Sequence, residues 1–302
     1  MSPGANESEG LLSPMSVGAT VGPLDRISTS KKGAGRRPGT ARRAARIRTV
    51  FADIEGTLTD RSGRHSSEAL LHRLGDLEAR GVLLVLCSGR SVRYQQELRE
   101  KWGLDPEGPC VAENGCCIFW KGMEIITYDY PAFQRDVLIS YLTERGAGKL
   151  GEFDPDKRHA ITLYPPGFLE GMDYSPEDIT RLYRFLLKHL KGSRYGVFYT
   201  SASVEVLPEG VDKGTGLDLL MGQARIAPSK ALYIGDSQND LPAAKRVLKG
   251  GGKVAAPANA VAAMKRLASF VSEKDDYRGA EDILDHFFPE KDNSRRAHRQ
   301  MS

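Results

Sequence analysis

The chain has 302 residues, 40% of them hydrophobic and 27% charged, enough for one large or two moderate domains with buried cores. No apolar run approaches the roughly 20 residues that span a bilayer, and the N-terminus lacks the apolar stretch of a secretory signal, so a cytoplasmic protein without a membrane partner is expected. The net charge of +4 sits at the ends: residues 1–46 carry +5 and residues 290–302 carry +2, which leaves 47–289 at about −3 and argues against a nucleic-acid-binding groove.

Residues 1–45 are rich in Gly, Ser, Pro, Ala and Arg and have no apolar period, so a disordered basic tail is expected there. Arg48–Asp53 (RTVFAD) is a short β-branched and apolar run ending in a carboxylate. Ser67–Arg80 has helical spacing, with Leu70, Leu71, Leu74 and Leu77 on one side. Val82–Cys87 (VLLVLC) is continuously apolar, as a strand buried on both faces should be. A helix over Ser91–Trp102 and a strand from Cys110 follow.

Residues 117–207 break the rhythm. Candidate strands at Glu124–Tyr128, Ala160–Tyr164, Tyr195–Thr200 and Val204–Leu207 mix with helices near Ala132–Arg145 and Pro176–Lys191, which predicts an inserted α+β domain. The alternation then resumes over 208–289: a helix near Gly214–Gly222, the strand ALYIG (Ala231–Gly235) and a helix from Asn239. A strand near Lys253–Ala255, a helix near Asn259–Leu267 and the strand Phe270–Val271 complete it. Alternating β and α segments predict an α/β fold, a doubly wound and mostly parallel sheet. Residues 290–302 read as a second frayed tail.

In open α/β sheets, ligands bind beyond the carboxyl ends of the strands. Asp53, Glu55 and Gly56 follow the first strand, and the glycine allows a turn and a close approach to an anion. Ser88, Gly89 and Arg90 follow the second, a favourable place for a phosphate oxygen. Lys213 opens a helix in VDKGTG, and Asp236, Asn239 and Asp240 follow ALYIG. Singly, these are ordinary strand-end, helix-cap and turn residues. In this order, at successive strand ends, they point to one site.

DIEGTLTD, LCSGR, VDKGTG and GDSQND resemble the four motifs of the haloacid dehalogenase superfamily of phosphatases. The resemblance covers about 47–288 and implies a Rossmann-like core, 46–116 with 208–289, and a C2-type cap at 117–207. Within that group the chain most resembles the archaeal-type phosphoglycolate phosphatases, through CVAENG, GDSQNDLP, APANAV and the segment Phe270–Phe287. It implies that Asp53 is a nucleophile forming an aspartyl phosphate and that Glu55 is the acid–base. It also implies Mg²⁺ held by Asp53, the Glu55 carbonyl and Asp236, with Asp240 supporting through water. Gly56, Ser88, Gly89, Arg90, Lys213 and Asn239 would face the phosphate or substrate, a small phosphorylated metabolite. The implied reaction is hydrolysis of 2-phosphoglycolate. A sugar phosphate or mannosyl-3-phosphoglycerate is the alternative substrate, and a mutase or phosphotransferase shares the first step. A homodimer is compatible with the reading.

Two departures stand out. The family usually has Asp where this chain has Glu55, although enolase-phosphatases of the superfamily also carry Asp-x-Glu-Gly-Thr. A catalytically weak or inactive binding protein is the alternative that Glu55 raises. Cys116 stands where relatives often have glycine. Cys87, Cys110, Cys116 and Cys117 form no CxxC pair and are expected as buried reduced residues, and the six histidines as surface residues. Gly146, Gly148 and Gly151 match GxGxxG but follow a helix, which argues against a dinucleotide site.

Overall fold

A computed structural model of the chain describes residues 46–129, 134–200 and 202–289. Both predicted tails, 1–45 and 290–302, lie outside the described residues.

Strands β1 (Thr49–Ala52), β2 (Leu83–Cys87) and β3 (Cys110–Ala112) form where the apolar runs predict them. The connecting helices are α1 (Glu68–Ala79) and α2 (Val92–Lys101), capped by Ser67 and Ser91, whose hydroxyls accept from Leu70 and Tyr94 N–H. Leu70, Leu74 and Leu77 of α1 are buried, each contributing about 1.5–3 kcal/mol. Leu71, at the edge of that face, is half-buried.

The antiparallel hairpin β4 (Cys117–Trp120) and β5 (Met123–Ile126) pairs onto β3 and so extends the main sheet. The expected insertion at 117–207 therefore departs from the main sheet after Ile126, because the hairpin's partner is β3 and not the second sheet. That second sheet contains β6 (Glu152–Phe153), β7 (Ile161–Tyr164), β8 (Tyr195–Tyr199) and β9 (Val204–Pro208), in the antiparallel order β6-β7-β9-β8. Helices α3 (Arg135–Glu144) and α4 (Pro176–Leu190) share its apolar core, where Leu138, Leu142, Leu182, Leu186, Ile161 and Val206 meet. This is the inserted α+β cap.

The chain then returns to the main sheet. Helix α5 (Lys213–Gln223) leads to β10 (Ala231–Ile234), α6 (Leu241–Lys249), β11 (Lys253–Ala256), α7 (Ala262–Leu267), β12 (Phe270–Val271) and α8 (Asp276–Phe287). The order β12-β11-β10-β1-β2-β3-β4-β5 is parallel as far as β3. Register places the site. Ala52 pairs with Ile234 on one side and Leu86 on the other, so the residues after β1, β10 and β2 emerge together at one sheet edge.

Candidate active site

Asp53 leaves β1 at that edge and is almost fully buried. Its carboxylate lies 2.8 Å from the Lys213 ammonium, which is itself buried and 2.7 Å from Asp240. Lys213 sits at the first turn of α5 because Asp212 caps that helix, with its side chain accepting from Thr215 N–H in a reciprocal capping box. Burial, then repulsion from Asp240, pushes the Asp53 carboxyl well above its usual range, against the pull of Lys213. Burial would lower Lys213, but Asp240 and Asp53 outweigh it and hold the ammonium charged far into the alkaline range.

Glu55 turns the other way, toward the loop after β2. Its carboxylate accepts from Arg90 Nε at 2.5 Å and from Ser88 Oγ at 3.1 Å. Burial alone would raise the Glu55 carboxyl; Arg90 and Ser88 reverse that and hold it below the ordinary value. The Arg90 guanidinium also rests 4.8 Å from the Tyr94 ring centroid. Arg90, expected to face the phosphate or substrate, pairs instead with the neighbouring Glu55. Ser88, expected beside a phosphate oxygen, spends its proton on Glu55.

Asp236 follows β10 and accepts from Thr57 Oγ1 at 3.4 Å and from Asn259 Nδ2 at 3.2 Å. Asn259 also donates to the Gly56 carbonyl at 2.8 Å. Gly56 has φ +76°, and a Cβ there would meet Asp236 Oδ2 at 2.6 Å, so both backbone conformation and space require glycine. Asp240 is enclosed by protein donors: Lys213 and Tyr233 on Oδ1, and the N–H groups of Asp236 and Ser237 with the Ser237 hydroxyl on Oδ2. Its visible role is to anchor Lys213 and the turn after β10. Asn239, expected near Lys213 or phosphate, instead donates to Asn114 at 3.1 Å.

Several participants escaped the sequence reading. Thr57 and Asn259 hold Asp236. Asn114 donates in turn to Glu205 of the cap strand β9, which meets the Lys157 ammonium at 3.4 Å. The carboxylate of Glu113 accepts the backbone N–H groups of Arg158, His159 and Ala160. The ENG and PAN segments were visible, but nothing local assigns their polar residues to this site. All four cysteines are buried and free, as expected. His159 is not a surface residue: its Nε2 lies 2.5 Å from Glu124 and its side chain is 16% exposed.

Asp53, Asp236 and Asp240 offer carboxylate oxygens all within 4.8 Å of one another. Burial and Asp240 push Asp236 up to about 7, which marks an excess of negative charge that Lys213 does not neutralise. An all-oxygen, anion-rich set of this kind fits a hard divalent cation such as Mg²⁺.

The haloacid dehalogenase-like hydrolase family matches this chain at residues 50–150 and 152–284. A phosphoglycolate phosphatase of Thermoplasma acidophilum is 27% identical over 237 residues, covering 78% of this chain and 95% of that protein. One from Methanopyrus kandleri is 28% identical over 248 residues, covering 80% and 98%. Among solved structures, a Thermoplasma acidophilum protein aligns with TM-score 0.62 at 23% identity, over 80% of this chain and 98% of that one. A sucrose-phosphatase from Synechocystis, solved with sucrose and phosphate, aligns with TM-score 0.58 at 20% identity over 80% and 98%.

Proposed function

The chain belongs to the haloacid dehalogenase-like hydrolase family and is a phosphatase; from that premise we propose that it hydrolyses 2-phosphoglycolate to glycolate and phosphate through an aspartyl phosphate on Asp53. The observation that carries the chemistry is the pairing of two differently tuned carboxylates at one sheet edge. Asp53 is locked by Lys213, and Glu55 is turned aside onto Ser88 and Arg90. The substrate rests on the relatives named phosphoglycolate phosphatase, which this chain matches over almost their whole length.

Asp53 attacks phosphorus and forms the acyl phosphate, while the P–O bond to the leaving group breaks. Glu55 gives its proton to the departing alkoxide, then removes one from the water that cleaves the acyl phosphate. Arg90 keeps Glu55 ionised in the free protein, so the acid form must arise with substrate. A phosphate dianion arriving beside it raises its proton affinity in the required sense. Lys213 fixes the attacking oxygen and offers positive charge to the phosphoryl group, with the amides near Gly56 and Gly89 as further donors. Asp240 acts by holding Lys213. Asp53, Asp236 and the Glu55 carbonyl would hold Mg²⁺, whose charge, when bound, offsets the repulsion between carboxylate and phosphate.

A second reading has an observation of its own. Glu205 of the cap lies close against Gly89, and the nearby cations Arg90 and Lys157 are already paired with Glu55 and Glu205. A carboxylate at that place accepts from sugar hydroxyls, and with both neighbouring cations committed to protein carboxylates the place offers no positive charge to a substrate carboxylate, which favours a sugar phosphate. The test is phosphate release from a panel of phosphomonoesters, with and without Mg²⁺. Release that persists in Asp53→Asn would sink the nucleophile, and sugar phosphates turned over better than 2-phosphoglycolate would sink the substrate.

A further inference from the structure

A second group of metal-ligating atoms shares no residue with the catalytic cluster. Cys117 Sγ, Glu124 carboxylate and His159 imidazole are all within 4.8 Å of one another. Cys117 and Glu124 come from the paired strands β4 and β5, where the register Cys117↔Ile126 and Phe119↔Glu124 puts both on one face of the hairpin. His159 comes from the loop between β6 and β7 of the cap.

We propose that Cys117, Glu124 and His159 form a binding site for a borderline-soft divalent cation, typified by Zn²⁺, that ties the cap to the edge of the main sheet. The donor chemistry differs from that of the catalytic cluster. One sulfur, one ring nitrogen and one carboxylate oxygen suit zinc, whereas the all-oxygen set at Asp53 suits magnesium. Donor atoms around tetrahedral zinc lie roughly 3.3–3.6 Å apart, so the wider of the observed spacings close by about 1.5 Å at most, while the direct contact of 2.5 Å between His159 Nε2 and Glu124 opens by about 0.8 Å to admit the ion. The imidazole is already oriented. Tyr128 hydroxyl stands 3.4 Å from Nδ1, which leaves Nε2 facing Glu124, and a hydrogen-bonded second nitrogen is the usual support of a ligating histidine. Glu124 and His159 side chains are 27% and 16% exposed, which gives an entry path and a fourth position for water.

Binding replaces the Cys117 S–H bond with a metal–sulfur bond and releases that proton to solvent, so affinity rises with pH. Without the cation, the Glu124 and His159 side chains meet each other directly. The backbone of His159 is already bound by Glu113, so the cation adds a side-chain tie to an existing main-chain one.

The experiment is titration of the full chain with Zn²⁺, and in parallel with Co²⁺, in a large excess of Mg²⁺. The expected result is one equivalent of Zn²⁺ and a thiolate-to-cobalt charge-transfer band. Both should disappear in Cys117→Ser, and affinity should fall on the order of 10-fold or more in His159→Gln. Zinc held at Asp53 and Asp236 instead gives no thiolate band and survives both substitutions, which overturns the proposal. Because Cys117 is fully buried and its replacement could unsettle β4, the unmutated chain supplies a second measurement. Zn²⁺ should slow alkylation of Cys117, mapped by mass spectrometry, and leave Cys87 unaffected. An unchanged rate at Cys117 also overturns it.

Discussion

Glu55→Asp tests whether this site is built around glutamate. The shorter acid retracts its carboxylate by about 1.3 Å. In the native chain the carboxylate lies 2.5 Å from Arg90 Nε and 3.1 Å from Ser88 Oγ, so retraction takes both contacts beyond hydrogen-bonding range. A misplacement of this size costs on the order of 10²-fold in kcat, about 2.7 kcal/mol in the barrier. The pH profile should move as well. Arg90 is the main influence holding Glu55 down against burial, so breaking that contact lets burial raise the carboxyl. Dephosphorylation needs the ionised base, and the acid limb of kcat therefore shifts to higher pH. The assay is phosphate release at saturating substrate and Mg²⁺ across a pH series, with KM expected to change less than kcat. A variant as fast as the parent, or faster, with an unmoved acid limb would show that the pocket was shaped for aspartate and that the Arg90 contact is incidental.

Removing a carboxylate from the catalytic cluster should stabilise the metal-free protein. Asp236 is raised in the fold from 3.8 to about 7, so its contribution is fully present below the unfolded value and is lost as pH rises through 7, up to about 4 kcal/mol. In EDTA near pH 8, Asp236→Asn should therefore melt several degrees above the parent, with the gap closing toward pH 4 and Mg²⁺ raising only the parent's melting temperature. A variant that melts lower at every pH refutes the charge-excess argument. Lys213→Met leaves Asp53 and Asp240 buried without their ammonium, and urea unfolding should show a loss of about 3–5 kcal/mol together with loss of turnover. Gly56→Ala forces a Cβ into Asp236 at φ +76°, which should cost about 1–3 kcal/mol in backbone strain; calorimetry and Mg²⁺ affinity should fall together.

The main-sheet motifs could be read because each apolar run stops at a polar residue, and the same pattern recurs at successive strand ends. Asp53 after FA, Ser88 after LC and Asp236 after IG are local signals, and parallel register then brings them to one edge. The hairpin β4–β5 was not legible in the same way. Glu124–Tyr128 reads as a strand, but whether it joins the main sheet, through β4, or the second sheet depends on a pairing partner that local periodicity does not encode. Helix α8 carried its own signal, with Gly279, Ala280, Ile283 and Leu284 at helical spacing and buried, and it passed unassigned beside the motifs. Asn259, Asn114 and Glu205 are ordinary polar residues in a loop, a tight turn and a strand, and only their convergence in space gives them roles. Asp240 shows the opposite case: its place was legible, while the donors that enclose it, Tyr233 among them, were not.

Among the contacts that join the cap to the core, those of Glu113 and Asn114 behave differently under motion. Glu113 binds three consecutive backbone amides of the cap, a set that can rotate as a unit without losing its donors. Asn114, one residue on, binds Glu205 with one side and Asn239 with the other. Asn239 belongs to the turn whose Asp240 anchors Lys213. If the cap opens to admit substrate by pivoting about Glu113, the amide contacts are kept, while the bond between Asn114 and Glu205 and the Arg93–Asp156 ion pair are the ones that part. The Glu205–Lys157 pair, buried in this structure, then meets water with both charges still matched, so opening leaves no lone buried charge behind. Closure restores the Asn114 bond, and with it a continuous line of hydrogen bonds from the cap strand β9 to the turn that holds Lys213. The position of the cap and the position of the lysine beside the nucleophile are thereby linked through two asparagines, Asn114 and Asn239.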